Sequence, residues 1–199
     1  ENKDQKDEIL VCAPTEGHLD PLVNNLFSDV FNNVLFRSLV MQRAKGDKPL
    51  LLTRSNLWIY FRLEGTAGDG RNMVALHPFK IYGDEMAYSS QVDHRYRIDG
   101  AQPDAMWRYS GVPNDVRTSP FYSIDQSDMG SSWSKHHLCL LYDNPLFLKG
   151  TKAQVERRQR EKIREHGGED SPSYKTQVLG QWGAEAASSF PPGSVSWAS

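Results

Sequence analysis

The sequence predicts an α/β fold with a mainly parallel sheet, and three observations support this. Residues 9–14 form a short apolar run that follows a charged segment, which is typical of a buried parallel strand. Apolar residues then recur at helical spacing directly after this run. Further short apolar runs follow along the chain, and a charged helical pattern comes after the last of them. Strands that alternate with helices in this way indicate a parallel sheet flanked by helices.

The composition is that of a globular protein. The 199 residues are 38% hydrophobic and 24% charged, and no stretch approaches the roughly 18 consecutive apolar residues that a membrane span requires. A membrane protein and a fully disordered one are therefore excluded. Lys and Arg (23) nearly balance Asp and Glu (25), so any contact with nucleic acid must come from a local basic patch. Cys12 and Cys139 lie far apart within apolar runs, which indicates reduced core thiols and argues against a zinc site.

The first predicted helix follows the first strand. Asp20 and Pro21 have the form of an N-cap with proline at the first helical position. Apolar residues recur at helical spacing from Leu22 onward, and the pattern predicts one long helix over residues 21–45 that ends at Gly46.

The elements after this helix are shorter. Residues 50–53 and 57–63 are strand candidates joined by a three-residue turn, so a hairpin is expected. The remaining elements are, in chain order, a glycine-rich hairpin loop at 65–70, a strand at 79–83, an irregular or weakly helical stretch at 91–105, strands at 106–110 and 138–142, and a charged helix at 151–166 that ends at two glycines.

Two consecutive acids stand where the strand at 79–83 ends. The carboxyl edge of a parallel sheet is where such folds bind ligands, and Asp84 and Glu85 supply the two carboxylates that phosphoryl transfer to water requires. One carboxylate orients Mg²⁺ beside the phosphates and the other polarises the attacking water. The alternative is a solvated strand end or a helix cap. A second feature, the small-residue turn at 110–114, ends the next strand about 25 residues later, and a parallel neighbour strand would bring it to the same edge.

These two features and four further segments together resemble the ATPase domain of phage terminase large subunits. The six occur in the family's order and extend along most of the chain. The segments are ILVCAPT at 9–15, GRN at 70–72 with LHP at 76–78, DEMA at 84–87, SGVP at 110–113, GGEDS at 167–171 and VLGQWG at 178–183. The last two are more specific to the family than the Asp-Glu pair.

The resemblance implies a fold and an organisation. The fold would be that of P-loop NTPases of the ASCE class, with a mainly parallel sheet flanked by helices and a small helical lid-like part at the C-terminal end. Residues 1–145 would be the ATPase core downstream of the phosphate loop, 146–187 the lid-like subdomain, and 188–199 a linker toward a nuclease domain.

The resemblance also implies an activity. Members of the family hydrolyse ATP with Mg²⁺ to translocate viral double-stranded DNA into the procapsid. They act as homo-oligomeric rings with the portal protein and the small terminase subunit, in the cytoplasm of the infected host cell.

Individual roles follow from the matched positions. Asp84 would be the Walker B aspartate that coordinates Mg²⁺ through water, and Glu85 the general base. Arg71 lies where some members carry an arginine finger, although a solvated arginine is the alternative. The coupling motif beside the nucleotide would consist of Ser110, Gly111, Val112 and Pro113.

The sequence departs from the family in one respect. It has no phosphate loop of the form G-x-x-x-x-G-K-[ST], and the glycine-rich segment at 65–70 has no lysine after it. In the family this loop lies upstream of the strand matched by residues 9–14, so we expect the chain to be a piece that starts after it and to hydrolyse ATP negligibly by itself. Two alternatives to a packaging motor stay open: a helicase-like ATPase stimulated by nucleic acid, and a non-catalytic interaction fragment.

Overall fold

A computed structural model describes residues 7–44, 50–64, 71–114, 117–126, 133–135, 139 and 143–182. The chain forms two compact units. The first consists of Glu1–Gly111 and Thr118–Ser123, and the second of Val112–Arg117 and Ile124–Ser199. No helix among the described residues has both the length and the apolar character to cross a membrane.

The first unit is built on a six-stranded sheet with the order β2-β3-β4-β1-β5-β6. Strands β4, β1, β5 and β6 are mutually parallel, whereas β3 runs antiparallel to both β4 and β2. The predicted mainly parallel sheet and the predicted hairpin are therefore confirmed. The strands are β1 (Asp7–Ala13), β2 (Val40–Ala44), β3 (Leu50–Thr53), β4 (Leu57–Leu63), β5 (Lys80–Gly83) and β6 (Met106–Tyr109).

The described helices are distributed over both units. In the first unit they are α1 (Glu16–Asn32), α2 (Val34–Leu39), α3 (Arg71–Val74), a 3-10 turn (Met86–Tyr88) and α4 (Gln91–Gly100). Helix α5 (Pro120–Gln126) follows, and the second unit contains α6 (Lys152–Glu165) and α7 (Pro172–Gln177).

Apolar residues pack on both faces of the sheet. Alternate residues of β1 point to opposite faces, because Leu10 and Cys12 join one buried cluster and Ala13 the other. Burial on both faces explains why residues 9–13 of β1 are apolar without a break. Helix α1 covers one face with residues at helical spacing, namely Leu19, Val23, Phe27 and Val30.

The prediction of one long helix over 21–45 is wrong. Helix α1 begins earlier, with Thr15 as its N-cap, and it contains Pro21 in its second turn. It ends at Asn32, because the next residue, Asn33, has an extended backbone (φ −98°, ψ 115°) and a side chain that accepts hydrogen bonds from the first turn of α2. The chain then becomes strand β2, because pairing with β3 satisfies backbone groups that helical spacing alone assigned to a helix.

The stretch at 91–105 is also more regular than expected. Its first ten residues form α4, which is capped by the Ser90 hydroxyl accepting from the Asp93 amide at 3.0 Å. The buried residues of α4 are Asp93, Arg97 and Gly100, so its inward face is polar and shows no apolar periodicity.

In the second unit, Tyr174 and Val178 are buried among Cys139, Phe147, Ile163 and Leu179. The charged helix predicted at 151–166 is confirmed as α6, which starts with a reciprocal capping box between Thr151 and Gln154. Gly167 and Gly168 follow it with positive φ of 84° and 102°. The segment predicted as a strand at 138–142 lies outside the described residues except for Cys139, and the loop at 65–70 lies wholly outside them.

Candidate active site at the carboxyl edge of the sheet

The two turns singled out in the sequence lie side by side. Strands β5 and β6 are parallel neighbours with Gly83 paired to Tyr109, so Asp84 and Ser110 are the first residues beyond the ends of adjacent strands. The Ser110 hydroxyl donates to Asp84 Oδ1 at 2.7 Å. A hydrogen bond from a hydroxyl to a carboxylate fixes the rotamer of the acid and leaves its other oxygen for a further ligand.

Main-chain hydrogen bonds hold the two turns against the sheet. The Asp84 amide donates to the Cys12 carbonyl at 3.0 Å, and the Ser110 amide donates to the Gly83 carbonyl at 2.9 Å. The Met86 amide donates to the Ser110 carbonyl at 3.0 Å. The acidic turn is therefore tied to β1 on one side and to the Ser110 turn on the other.

Glu85 has an unusual backbone conformation. Its φ of 52° and ψ of 38° place it in the left-handed region, which costs a residue with a side chain on the order of 1 kcal/mol. The 3-10 turn that follows anchors it, because Met86 is fully buried and the Tyr88 amide donates to the Glu85 carbonyl at 3.0 Å. The position of the half-buried Glu85 is thus fixed at the sheet edge by the backbone around it.

A side chain at either of two glycines of this edge would crowd the segment that carries Glu85 and Met86. A Cβ on Gly83 would lie 2.5 Å from the sulfur of Met86. A Cβ on Gly111 would lie 3.1 Å from the Met86 nitrogen and 3.3 Å from the Glu85 carbonyl carbon. The Ser110-Gly111 turn and the Glu85 turn therefore pack main chain to main chain.

The start of α1 lies at the end of β1, which neighbours β5 at the same edge. The Thr15 hydroxyl is 2.9 Å from His18 Nδ1, and the His18 ring stacks on Tyr88 with centroids 6.0 Å apart. A helix N-terminus carries partial positive charge, so this end of α1 favours an anion nearby.

The geometry described above does not include the remaining predicted site residues, Arg71, Val112 and Pro113. Arg71 is the first residue of α3, and its side chain lies outside what the structure describes. Val112 and Pro113 follow Gly111 in the chain and belong to the second unit.

A buried polar cluster that the sequence analysis missed lies beneath the site. Arg97 forms an ion pair with Glu64, and both side chains are at most 1% exposed. Arg97 also donates from Nη2 to the Ser89 hydroxyl at 3.1 Å and from Nε to the Tyr109 hydroxyl at 3.0 Å. His94 Nδ1 is 3.0 Å from the same Tyr109 hydroxyl. The signal that could have found Arg97 is its spacing from Asp93 and Gly100, which marks one face of a helix.

Burial governs the ionisation of this cluster. Desolvation raises the pKa of Cys12 to about 11, with smaller effects from the charges of Arg97 and Asp93. It also raises the pKa of the Tyr109 phenol and lowers the pKa of His94. Cys12 is therefore a protonated core thiol and has no thiolate for nucleophilic chemistry.

The donor set at the edge suits Mg²⁺ only in part. Among the described residues, no three His, Cys, Asp or Glu side chains converge on one point. One carboxylate with a neighbouring hydroxyl nevertheless fits Mg²⁺, which keeps several waters and is held by one or two carboxylates together with substrate phosphates. Asp84 is the residue that would hold it, through a water ligand, and the Ser110 hydroxyl fixes its carboxylate.

The sheet order, the acidic turn and the adjacent small-residue turn define an α/β protein with a fold like that of P-loop NTPases. More particularly, the fold is similar to that of the matched part of phage large terminases, the resemblance that the motifs predicted. The large terminase of a thermophilic bacteriophage matches with a TM-score of 0.59 at 14% identity over 89% of this chain and 41% of its own. A second structure of that terminase, in complex with ADP, matches with a TM-score of 0.53 at 16% identity. The HK97 bacteriophage large terminase matches with a TM-score of 0.59 at 17% identity over 89% of this chain and 40% of its own.

At these identities the likeness is one of fold. This chain spans about two fifths of the length of those terminases. No protein-family profile and no curated protein sequence matches it.

Proposed function

We propose that this chain is part of the ATPase domain of a phage terminase large subunit, the motor that hydrolyses ATP to move viral double-stranded DNA into the procapsid. The observation that carries the proposal is the joined pair of turns, in which Ser110 is hydrogen-bonded to Asp84 beside Glu85, on a sheet with the terminase fold. The thermophilic phage terminase in complex with ADP supports a nucleotide as the ligand of this fold.

The chemistry proposed for the site is attack of water on the γ-phosphate of ATP. Bound Mg²⁺ would neutralise charge on the phosphates. Asp84, held in place by the Ser110 hydroxyl, would orient the ion through a water ligand. Glu85 would accept a proton from the attacking water, because it directly follows Asp84 at the sheet edge and the turn after it fixes its backbone.

The coupling role is assigned to Ser110, Gly111, Val112 and Pro113. Gly111 packs on the main chain of the turn that carries Glu85, so a displacement of one turn must displace the other. Because the chain passes into the second unit directly after Gly111, such a displacement has a covalent path out of the site.

Further roles in the proposal come from the family. Arg71 would act as an arginine finger on a neighbouring subunit of a homo-oligomeric ring. The portal protein, the small terminase subunit and viral DNA would be the partners, in the cytoplasm of the infected host cell.

The test uses a protein that contains this chain and has the full length of the matched terminases, here called the terminase-length protein. It compares the Glu85→Gln variant of that protein with the unaltered protein. We expect DNA-stimulated ATP turnover in the unaltered protein and a kcat lower by about 10²- to 10⁴-fold in the variant, which is the usual contribution of a general base. Binding of a fluorescent ATP analogue should be retained. Glu156→Gln is the matched control, because Glu156 lies on α6 with about half of its side chain exposed.

Other outcomes contradict the proposal in different ways. Equal turnover in both proteins would assign the base to another residue, and no turnover in either would favour a non-catalytic interaction fragment. Strand separation of a forked duplex would favour the helicase-like alternative. The 199 residues alone contain no phosphate-loop sequence, so we expect negligible turnover from them.

A further inference from the structure

Arg97 connects the ends of three strands. Its guanidinium pairs with Glu64, which directly follows β4, and donates to Ser89 in the segment after β5 and to Tyr109 at the end of β6. The Arg97 side chain is fully buried, and its guanidinium also lies over the Tyr109 ring at 5.3 Å from the ring centroid, within the range of a cation–π contact.

Two of the partners of Arg97 are close in the chain to the proposed site. Ser89 is four residues after Glu85, and Tyr109 directly precedes Ser110. The Glu64 amide donates to the Ala13 carbonyl at 3.0 Å, which ties the ion pair to β1 as well. A single side chain therefore holds both turns of the site against the rest of the sheet edge.

Stability alone does not explain why an ion pair is buried at this position. Removing two charges from water costs several kcal/mol, and apolar side chains of similar volume usually stabilise a fold as well or better. Arginine has five donors in a rigid planar fork, so it fixes the relative positions of several acceptors where an apolar side chain fixes none. The geometry of this cluster thus favours a role in positioning over a role in stability.

We propose that Arg97 is a positioning residue, whose hydrogen bonds to Ser89 and Tyr109 keep the turn that carries Glu85 and the turn that carries Ser110 in reactive register. Glu64 neutralises its charge. This inference rests on the proposed ATPase function, and it adds to that function a residue that does not touch the nucleotide.

The first test is Tyr109→Phe in the terminase-length protein. The substitution removes one hydroxyl, keeps the ring and leaves the ion pair intact. We expect kcat to fall about tenfold or more while the KM for ATP changes less than about threefold, because register matters for reaction more than for binding. Tyr96→Phe, on the helix that carries Arg97, is the matched control and should leave both constants unchanged.

The second test is the double variant Arg97→Met with Glu64→Met. Losing both charges together avoids an unpaired buried charge, so the thermal unfolding midpoint should stay near that of the unaltered protein or rise. We expect kcat to fall about 10²-fold in this folded protein, the effect of a misplacement of about 1 Å. A purely structural pair would leave kcat unchanged.

The outcomes separate the two proposals. Turnover in the unaltered protein together with normal kcat in a folded double variant would overturn the positioning role and leave the ATPase function standing. If the double variant does not fold, a normal kcat in Tyr109→Phe would overturn the positioning role instead. No turnover in the unaltered protein would overturn the ATPase function and this inference with it.

Discussion

Gly111→Ala is the substitution that most directly tests the contact between the two turns. The added Cβ would lie 3.1 Å from the Met86 nitrogen and 3.3 Å from both the Ala87 nitrogen and the Glu85 carbonyl carbon. All three are main-chain atoms, which cannot rotate away as a side-chain end can. The turn that carries Glu85 must therefore move by a few tenths of an ångström to accept the methyl group.

The expected cost follows from this crowding. Inserting a methyl group into a well-packed site costs about 1–3 kcal/mol. For a chain of this size, that corresponds to a fall in the thermal unfolding midpoint of roughly 2–12 °C. In the terminase-length protein, displacement of Glu85 should also lower kcat more than it raises the KM for ATP.

The assay is urea and thermal unfolding of the 199-residue chain. Gly17→Ala is the matched control, because a Cβ there has only the Thr15 hydroxyl, at 3.9 Å, within 4 Å. Gly17 lies in α1, so alanine should stabilise the chain by up to about 1 kcal/mol. The two substitutions are therefore expected to change the free energy of unfolding in opposite directions. Equal stability of Gly111→Ala and the unaltered chain would refute the close approach of the two turns.

Two further predictions concern the core thiol and a helix cap. Because burial raises the pKa of Cys12 from 9.0 to about 11, its contribution to stability is complete below pH 9 and is lost as the pH rises through 11, by up to about 3 kcal/mol. Urea unfolding across this range should therefore show a shallower decline in Cys12→Ala than in the unaltered chain, and parallel curves would contradict the burial. Thr151→Ala removes the capping box of α6 and should cost about 0.5–2 kcal/mol, measured by urea unfolding with far-ultraviolet circular dichroism, whereas Lys152→Ala, exposed at the next position, should change stability by less than about 0.5 kcal/mol.

Much of the fold could be predicted from local pattern. The parallel strands are short apolar runs that end at turn residues, and β1, β5 and β6 formed close to where these runs lie. The boundary between α1 and β2 could not be predicted in this way. Apolar residues continue at helical spacing through Val34 and Leu35, and only the side-chain cap at Asn33 and the pairing of β2 with β3 divide the segment.

The polar residues of the candidate site could be picked out in the sequence, whereas the buried residues that support them could not. Asp84 and Glu85 are visible because acids at the end of an apolar strand stand out, and their approach to Ser110 follows from adjacent parallel strands. Arg97 and Glu64 are far apart in the chain and each resembles a solvated charge. Their pairing depends on the packing of α4 against the sheet, and the polar inward face of that helix hides it from any search for apolar periodicity.

The two turns can approach each other closely because Gly83 and Gly111 have no side chain. Gly83 makes room for the Met86 side chain and Gly111 for the main chain, while two of the hydrogen bonds between the turns run through peptide groups, which every residue possesses. Such an arrangement constrains few letters of the sequence, so substitutions can accumulate around it without changing its shape. A backbone arrangement of this kind can persist while the residues around it change, and the likeness of this chain to large terminases is correspondingly one of fold, at 14–17% identity.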